Sequence, residues 1–300
     1  MLRVGTDCSG IEAPIQALQN IGIPFQHVFS CDIDKYCEES IKANYNPDYF
    51  YNDMKKRNNR LLPDIDLYIC GFPCQPFSHA GNRQGVDDEK GRGNLFWYCL
   101  DVIAKKQPSY FLLENVKGLL TIDNGDTFDM IRNELKSLSY DIYYNVLNTK
   151  DYGIPQQRER LFIVGIHSTL HQTFEWPMET VMRPLTYYVD VRNTEQEPIP
   201  DFVKRSSLLK RIPKDSLFID IGFTQGNFVN SDIECPCITT QGNLWCVPMK
   251  RRASIKECLK LQGFPAKFKQ VVSDRQLKKQ IGNSMSVNVI EAIFRELFLN

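Results

Sequence analysis

The regular alternation of short apolar segments with helical patterns in its first half constrains the fold of this 300-residue chain more than any other feature. Consecutive parallel strands need a crossover connection, usually a helix, so this order predicts a parallel sheet with helices on both faces. Two further strand candidates, 141–148 and 160–167, follow each other closely in the chain, and we expect them to be adjacent and antiparallel in the sheet. Strands are predicted at 2–7, 26–32, 66–71, 109–116, 141–148 and 160–167, and helices from Gly10 to about Gly22 and at 36–45, 94–106, 253–262 and 287–298.

The alternation stops between about 168 and 250, where prolines, short strands and basic residues dominate. We therefore expect a cofactor-binding catalytic domain over 1–170, a smaller domain over 171–252 and a hinge region over 253–280. An amphipathic terminal helix needs a core to cover, so 281–300 should complete the first domain. The predicted fold class is α/β: a Rossmann-like, doubly wound, mostly parallel sheet with an antiparallel strand, plus a smaller domain.

The charge pattern bears on the type of partner. The formal net charge is zero, which argues against a nucleic-acid binder, because such proteins commonly carry a basic excess. Two stretches, 203–214 and 249–256, nevertheless contain five and four Lys or Arg residues and no acid. Each stretch is either an ordinary solvated face or part of a local basic surface.

The cysteine usage and the lack of long apolar segments indicate an intracellular protein. The N-terminus lacks a signal-peptide pattern, and no apolar run approaches the roughly 18–20 residues needed to cross a bilayer. The ten cysteines are expected to be reduced thiols, and the spacing of Cys235 with Cys237 differs from that of a structural zinc site, so no metal is expected. We expect a cytoplasmic location, or the nucleus or a viral factory if the source is eukaryotic or viral.

Polar residues follow the predicted strands at their carboxyl ends, which is where open α/β sheets bind ligands. Asp7 to Gly10 follow the first strand, and Asp32 ends the second. An acid in the latter position commonly accepts hydrogen bonds from an adenosine ribose. A glycine turn and one acid are compatible with any nucleotide-binding Rossmann protein.

Cys74 lies in GFPCQPFS, directly after the third strand, and Glu114 ends the fourth. A thiolate is a strong nucleophile, and a nearby acid can protonate what it attacks. The alternative is a small buried residue, but prolines on both sides of the Cys-Gln pair favour a stiff, exposed loop.

Five segments in order make the chain similar to the cytosine-5 DNA methyltransferases. They are GFPCQPFS (71–78), LLENVKGL (112–119), YGIPQQRERLFIVG (152–165), LQGFP (261–265) and IGNSMSVNVI (281–290). This resemblance implies methyl transfer from S-adenosyl-L-methionine to C5 of a cytosine in a specific short DNA sequence. It covers nearly the whole chain outside 168–230.

The resemblance assigns roles to the residues around Cys74. Cys74 would attack C6 of the base, and Glu114 would hold a proton on or near N3. Arg160 and Arg158 would orient the base, and Gln156 would be structural. A thiolate cannot reach C6 inside a duplex, so the cytosine must flip out. The loop after Cys74 would close over the DNA, with contacts from Gln75, Ser78, Arg83 and Arg92.

The resemblance also implies a set of cofactor contacts. Asp32 would bind the ribose and Asp53 the adenine amino group. Cys8 and Glu12 belong to the implied contacts, and Glu12 would meet the ammonium group of the cofactor. At both positions the first motif departs from the family, because Cys8 replaces an aromatic residue and Glu12 a glycine. The remaining implied contacts are Asp7, Ser9, Gly10, Ile11, Ile33, Met54, Gly71, Pro73, Leu95, Asn283 and Ser284.

The family places its target-recognition domain where this chain has 171–252. FTQGN (223–227) and PCITTQGN (236–243) resemble recognition loops, which implies that Gln225, Gly226 and Thr239 enter the DNA. The alternative is a purely structural hairpin over 223–243. The implied partner is double-stranded DNA, with no membrane, and the chain would act as a monomer in a cell that can contain a restriction endonuclease counterpart.

Three alternatives remain open from the sequence. A branch with the same catalytic core methylates tRNA, but its Cys-Phe-Thr signature is absent here. A non-catalytic DNA-binding relative would tend to lose Cys74 or Glu114. A nucleotide-binding oxidoreductase would need a fuller glycine fingerprint.

Overall fold

A computed structural model describes residues 1–73, 95–205, 208–213, 215–222 and 233–299. These residues form two compact units. The first consists of Met1–Leu147 and Glu159–Trp176, and the second of Asn148–Arg158 and Pro177–Leu299. The last helix therefore belongs to the second unit. The domain boundaries suggested by the sequence assign a function to each segment of the chain, and these assignments stay predictions.

The described part of the first unit contains a seven-stranded sheet in the order β3-β2-β1-β4-β5-β7-β6. The pairs β1–β2, β2–β3, β1–β4 and β4–β5 are parallel, and β5–β7 is antiparallel. This is the predicted doubly wound, mostly parallel sheet. The strands are β1 (Leu2–Asp7), β2 (Phe25–Cys31), β3 (Tyr49–Tyr51), β4 (Leu67–Cys70), β5 (Tyr110–Val116), β6 (Tyr140–Asn148) and β7 (Glu159–His167).

The central strands are buried on both faces. All residues of β4 are buried, and side chains alternate between the two faces of a strand, so both faces must be covered. Tyr68 and Cys70 join one core cluster with residues of α3 and α4. The helices of this unit are α1 (Ala13–Ile21), α2 (Lys35–Asn44), α3 (Leu95–Lys106) and α4 (Asp126–Ser137).

Gly165 on β7 allows a close approach that no other residue type permits. It lies opposite Phe111 on β5, and a Cβ at this position would lie 2.1 Å from the Phe111 ring. The ring therefore occupies the space that a side chain on β7 would take. The glycine fixes how β5 and β7 pack.

The described part of the second unit contains a small antiparallel sheet in the order β10-β9-β8. Its core cluster includes Val203, Ile219, Ile221 and Trp245. The strands are β8 (Phe218–Asp220), β9 (Leu244–Cys246) and β10 (Arg251–Arg252), and the helices are α5 (Asp201–Arg205), α6 (Leu208–Arg211), α7 (Ile255–Leu261), α8 (Asp274–Asn283) and α9 (Val287–Phe298). Across all described ranges, no helix is both long enough and apolar enough to cross a bilayer.

The start of α7 is fixed by side chains. Ser254 and Glu257 form a capping box, in which each side chain accepts a hydrogen bond from the backbone N–H of the other. The buried Glu257 carboxylate also binds the Arg251 guanidinium at 2.7 Å. The same carboxylate therefore links β10 to α7.

Some elements of the structure were not predicted from the sequence. They are the strand β3 and the helices α4, α5, α6 and α8. The predicted hinge region 253–280 contains α7, in agreement with the helix predicted at 253–262, and most of α8, which starts at Asp274 after a Ser273 cap. The role of this region as a hinge stays a prediction.

Candidate active site

The loop after β1 lies at the carboxyl edge of the sheet and is shaped by left-handed backbone. Cys8, Gly10 and Glu12 have φ values of 50°, 57° and 59°. A Cβ on Gly10 would meet nothing within 4 Å, so the loop is open on that side. The Gly10 N–H donates to the Asp32 carboxylate at 2.8 Å, which ties this loop to the residue after β2.

Asp32 lies where the sequence places it, directly after β2. Its carboxylate accepts hydrogen bonds from the backbone N–H groups of Gly10 (2.8 Å) and Asp34 (2.9 Å). Burial raises the pKa of Asp32 above its usual value, and these two hydrogen bonds oppose that shift. The carboxylate is thus held in place while each oxygen retains a lone pair for a ligand.

The residues beside Asp32 suit an adenosine group. Ile33 follows Asp32 directly in the chain, and its side chain is 81% exposed. Asp53 lies after β3, and its carboxylate accepts from the Lys55 N–H at 2.9 Å while Met54 is buried. An exposed apolar side chain next to the Asp32 carboxylate could pack on an adenine ring, and the carboxylates of Asp32 and Asp53 would favour a nearby cationic sulfonium.

Asp7 has a structural environment that the sequence did not reveal. Its buried carboxylate accepts from both terminal nitrogens of Arg57 (2.6 and 2.5 Å) and from the Tyr68 hydroxyl (2.6 Å). Burial lowers the pKa of Arg57, but the Asp7 carboxylate outweighs this and raises it. Arg57 also stacks near the rings of Phe29 and Tyr51. The Asp7 side chain is thus engaged within the protein.

Glu12 is fully buried beneath the same loop. One carboxylate oxygen accepts from the hydroxyls of Thr6 and Ser30 at 2.6 Å each, and the His27 ring lies 3.3 Å away. The Glu12 side chain therefore points into the protein below the loop. It fills the place of the family's second glycine with an internal polar anchor.

The other predicted contacts of the first unit lie near this edge. Ser9 is buried and bonds through its hydroxyl to the Cys31 backbone, and Ile11 is buried. Leu95 and Cys8 pack against the core cluster of α3 and β4. Gly71 is half-buried and Pro73 is exposed.

Glu114 and Arg160 are brought together by the β5–β7 pairing. The Arg160 Nε lies 3.2 Å from a Glu114 carboxylate oxygen, and both side chains are mostly shielded from solvent. Arg160 also donates to the Glu159 carbonyl at 2.7 Å, which fixes the other side of the guanidinium. Two residues that the sequence assigned to catalysis thus form one ion pair at the end of β5.

Asn115 was not given a role by the sequence, although it lies next to Glu114. Its side-chain amide donates to the Phe72 carbonyl at 2.8 Å, and its side-chain oxygen accepts from the Val116 N–H. Phe72 lies two residues before Cys74 in the chain. Asn115 therefore fastens the segment that leads to the predicted nucleophile onto the strand that carries Glu114.

Several predicted residues lie outside the described residues. They are Cys74, Gln75, Ser78, Arg83, Arg92, Gln225 and Gly226.

Gln156 and Arg158 form a buried clamp in the second unit around residues 235–242, which include Thr239. Gln156 accepts from the Ile238 N–H and donates to the Leu261 carbonyl. Arg158 donates to the carbonyls of Ile238, Gly282 and Ser284 at 3.1, 3.2 and 2.7 Å. These contacts agree with the structural role predicted for Gln156. Arg158 was predicted to orient the base, but in the structure its guanidinium also bonds to backbone carbonyls.

The remaining predicted residues of the second unit differ in exposure. Asn283 is exposed at the end of α8, and Ser284 is buried. Thr239 is half-buried within segment 235–242. Their proposed contacts with cofactor or DNA stay predictions.

The described sheet has the Rossmann-like fold that is also found in solved methyltransferase structures. The structure of the Dnmt2 methyltransferase from S. pombe superposes on this chain with a TM-score of 0.75 and 22% sequence identity. The superposition covers 100% of this chain and 98% of the Dnmt2 chain. A putative DNA modification methyltransferase from an E. coli prophage gives a TM-score of 0.74 at 19% identity, with 100% and 99% covered. At such identities these structures establish the fold alone.

The C-5 cytosine-specific DNA methylase family matches residues 7–227 and 226–299, and the chain belongs to this family. Type II methyltransferase M.HaeII of Haemophilus aegyptius is 38% identical over 280 residues, with 89% of this chain and 84% of that protein covered. Type II methyltransferase M.Bsp6I of a Bacillus strain is 33% identical and is covered over 99% of both chains. The chain is accordingly a DNA (cytosine-5) methyltransferase.

Proposed function

We propose that this enzyme methylates C5 of a cytosine flipped out of a specific short sequence in double-stranded DNA, with Cys74 as the nucleophile. The observation that supports this most strongly is the Glu114–Arg160 pair, 3.2 Å apart at the end of β5. Asn115 on the same strand holds the Phe72 carbonyl, so the chain enters the Cys74 loop next to this pair. In the proposed mechanism the Glu114 acid, the Arg160 cation and the Cys74 thiol act on one base.

Glu114 and Arg160 have complementary roles in the proposed mechanism. The Cys74 thiolate would form a bond to C6, and the electron pair of the C5–C6 double bond would move onto C5, which becomes the nucleophile. A proton held by Glu114 at N3 would neutralise the charge that develops, and Arg160 would fix the orientation of Glu114 and of the base. S-adenosyl-L-methionine, when bound, would supply a methyl group on a sulfonium, which leaves as a thioether with the sulfur–carbon electron pair. A base from solvent would then remove the C5 proton, and the double bond would form again as Cys74 leaves C6 as a thiolate.

The acidic edge of the sheet is proposed to hold S-adenosyl-L-methionine. Asp32 would accept from the ribose hydroxyls, Asp53 from the adenine amino group, and exposed Ile33 would cover the adenine face. Asp7 and Glu12 would act as positioning residues, because their carboxylates are engaged by Arg57, Tyr68, Thr6 and Ser30 and so fix the loop from below.

A restriction–modification context is part of the proposal. Several relatives are named Type II methyltransferases, while the orphan methyltransferase M.Rho11sI of Bacillus phage rho11s is 41% identical over 180 residues, 59% of this chain and 35% of that protein. We propose that the chain acts as a monomer and that a restriction endonuclease of the same cell is its counterpart. Gln225, Gly226 and Thr239 are the proposed contacts to the recognised sequence.

Bisulfite sequencing of DNA from cells that express the enzyme tests the activity and reveals the recognised sequence together. A duplex with 5-fluorocytosine at the identified position then tests the nucleophile, because fluorine cannot leave as the proton does. The expected result is a covalent complex that survives denaturing electrophoresis and requires S-adenosyl-L-methionine. The Cys74→Ser variant should give none, since a hydroxyl is far less acidic than a thiol.

Cys37→Ser on α2 is a matched control, because it makes the same exchange at a buried thiol that has no proposed role in catalysis or binding. It should still form the covalent complex. A complex that forms without cofactor, or in Cys74→Ser, would show that the mechanism is wrong. Trapping of a tRNA that contains 5-fluorocytosine, without trapping of the duplex, would make tRNA the substrate.

A further inference from the structure

The second unit contains a polar cleft of about 940 Å³ between segment 235–242 and α8. Thr240, Gln241 and Gly242 line one side, Arg252 on β10 contributes to the wall, and the α8 side is lined by polar and charged residues. The proposed catalytic residues do not line this cleft, whereas Asn283, a predicted cofactor contact, does. Its lining lacks aliphatic and aromatic side chains, so it is unsuited to an apolar ligand.

The charge of this basic cleft is unbalanced. Four cations line it, Arg252, Arg275, Lys278 and Lys279, against the single carboxylate of Asp274. Arg252 pairs with Glu197 at 2.7 Å, and Asp274 accepts from the Gln270 amide. Neither Arg275 nor Lys278 has an ion pair with another described residue within 4.0 Å. The sequence pointed to Arg252 through the basic stretch 249–256, but the cations of α8 come from a segment predicted as a hinge.

The cleft wall is tightly packed against segment 235–242. At the end of α8, a Cβ on Gly282 would lie 2.5 Å from the Thr239 carbonyl carbon and 2.6 Å from the Thr240 nitrogen. Gly242 has φ 65°, and its Cβ position lies 3.2 Å from the Lys278 side chain. Arg158 donates to both Ile238 and Gly282. A ligand held by α8 would therefore also fix the position of Thr239.

We propose that the basic cleft binds phosphates of the DNA backbone and thereby sets the register of segment 235–242 on the duplex. The inference rests on the proposed function, which supplies DNA as the ligand. Lysine and arginine that neutralise phosphates release counterions, whatever the base sequence. Such contacts position a protein on DNA, whereas contacts to base edges give specificity. The cleft would thus contribute affinity, and Thr239 would contribute sequence selection.

The test measures duplex binding by fluorescence anisotropy over a series of salt concentrations. The double variant Arg275→Gln/Lys278→Gln should bind more weakly and lower the slope of log K against log salt by about 2, since each phosphate contact contributes about 0.9. The dissociation constant should rise by the same factor for a duplex with the recognised sequence and for one without it. The double variant Arg275→Lys/Lys278→Arg keeps both positive charges and should therefore keep the wild-type slope.

Lys267→Gln/Lys269→Gln is the matched control, because both lysines are exposed in the same unit and do not line the cleft. This control should keep the wild-type slope. Thermal unfolding shows whether each variant remains folded. An unchanged slope in the cleft variant, or an equal loss in the control, would overturn the proposal while methylation by the wild type continues. A loss of binding to double-stranded RNA but not to DNA would overturn the assignment to DNA. If the wild type methylates no DNA, the proposed function itself is wrong.

Discussion

Replacing Asp32 by Asn separates the charge of this residue from its shape. In the structure its two oxygens accept from the Gly10 and Asp34 N–H groups at 2.8 and 2.9 Å. An asparagine oxygen can keep one of these bonds, but its NH₂ group would face the other N–H. The variant also loses the charge that the ribose hydroxyls would bond to. One charge-assisted hydrogen bond to the cofactor corresponds to a rise of about tenfold in the dissociation constant, or about 1.4 kcal/mol.

Asp32→Ala should weaken cofactor binding further, because it also releases the Gly10 loop. Isothermal titration calorimetry with S-adenosyl-L-methionine measures both variants, and Asp48→Asn, an exposed aspartate before β3, is the control. An Asp32→Asn enzyme that binds the cofactor as tightly as the wild type would refute the assignment of the ribose contact.

The pH dependence gives an independent check on Asp32. Its pKa is raised by burial, so the carboxylate takes up a proton at a higher pH than an ordinary aspartate does. Cofactor affinity of the wild type should therefore fall as the pH is lowered through this raised pKa, and Asp32→Asn should lack that component. The sign for stability is the opposite: a raised pKa in the folded state favours folding at low pH, and this contribution is lost as the pH rises. The stability of the wild type relative to Asp32→Asn should thus fall as the pH rises through this pKa, which urea denaturation at several pH values can measure.

The other expectations concern cofactor binding and stability. Asp53→Ala should raise the cofactor dissociation constant less than Asp32→Ala does, and calorimetry showing the reverse order would assign the adenine contact elsewhere. Arg57→Met leaves the buried Asp7 carboxylate without its cation and should cost about 3–5 kcal/mol in the free energy of unfolding by urea; a loss below 1 kcal/mol would contradict the importance of this pair. Gly165→Ala forces a methyl group into the Phe111 ring and should cost about 1–3 kcal/mol, whereas Gly118→Ala, whose Cβ meets nothing within 4 Å, should be nearly neutral. Equal stability of the two alanine variants would show that the ring can move aside.

The sequence predicted those elements whose own pattern carries the signal. The apolar residues of α9 recur at helical spacing, and the helix runs from Val287 to Phe298 as expected. The helix α4 also has apolar residues at helical spacing, namely Phe128, Ile131 and Leu135. Most of its other residues are polar or charged, so the apolar pattern was too weak to predict a helix. The strand β3 has three residues at a sheet edge, too few for an alternation to appear.

The candidate site shows the same limit. Asp32 was found because a rule connects the carboxyl ends of strands with ligands. The pairing of Asp7 with Arg57 joins residues 50 positions apart, and no local pattern encodes it. Glu12 was assigned to the cofactor because a carboxylate can meet an ammonium group. Its burial beside Thr6 and Ser30 depends on the β1–β2 register, which only the folded sheet defines.

The clamp formed by Gln156 and Arg158 has a consequence for how such an enzyme can change its target. The Gln156 and Arg158 side chains bond to two side chains, those of Gln262 and Cys237. Their other hydrogen bonds described above go to backbone groups, which are the Ile238 N–H and the carbonyls of Ile238, Leu261, Gly282 and Ser284. Backbone groups are present whatever the side chain. In the recognition role proposed for Thr239, mutations at 239–241 would therefore change the DNA sequence that is selected without loosening how the segment is held. Segment 239–241 can therefore change its side chains while its backbone stays in place, which would favour the evolution of new DNA specificities on an unchanged catalytic core.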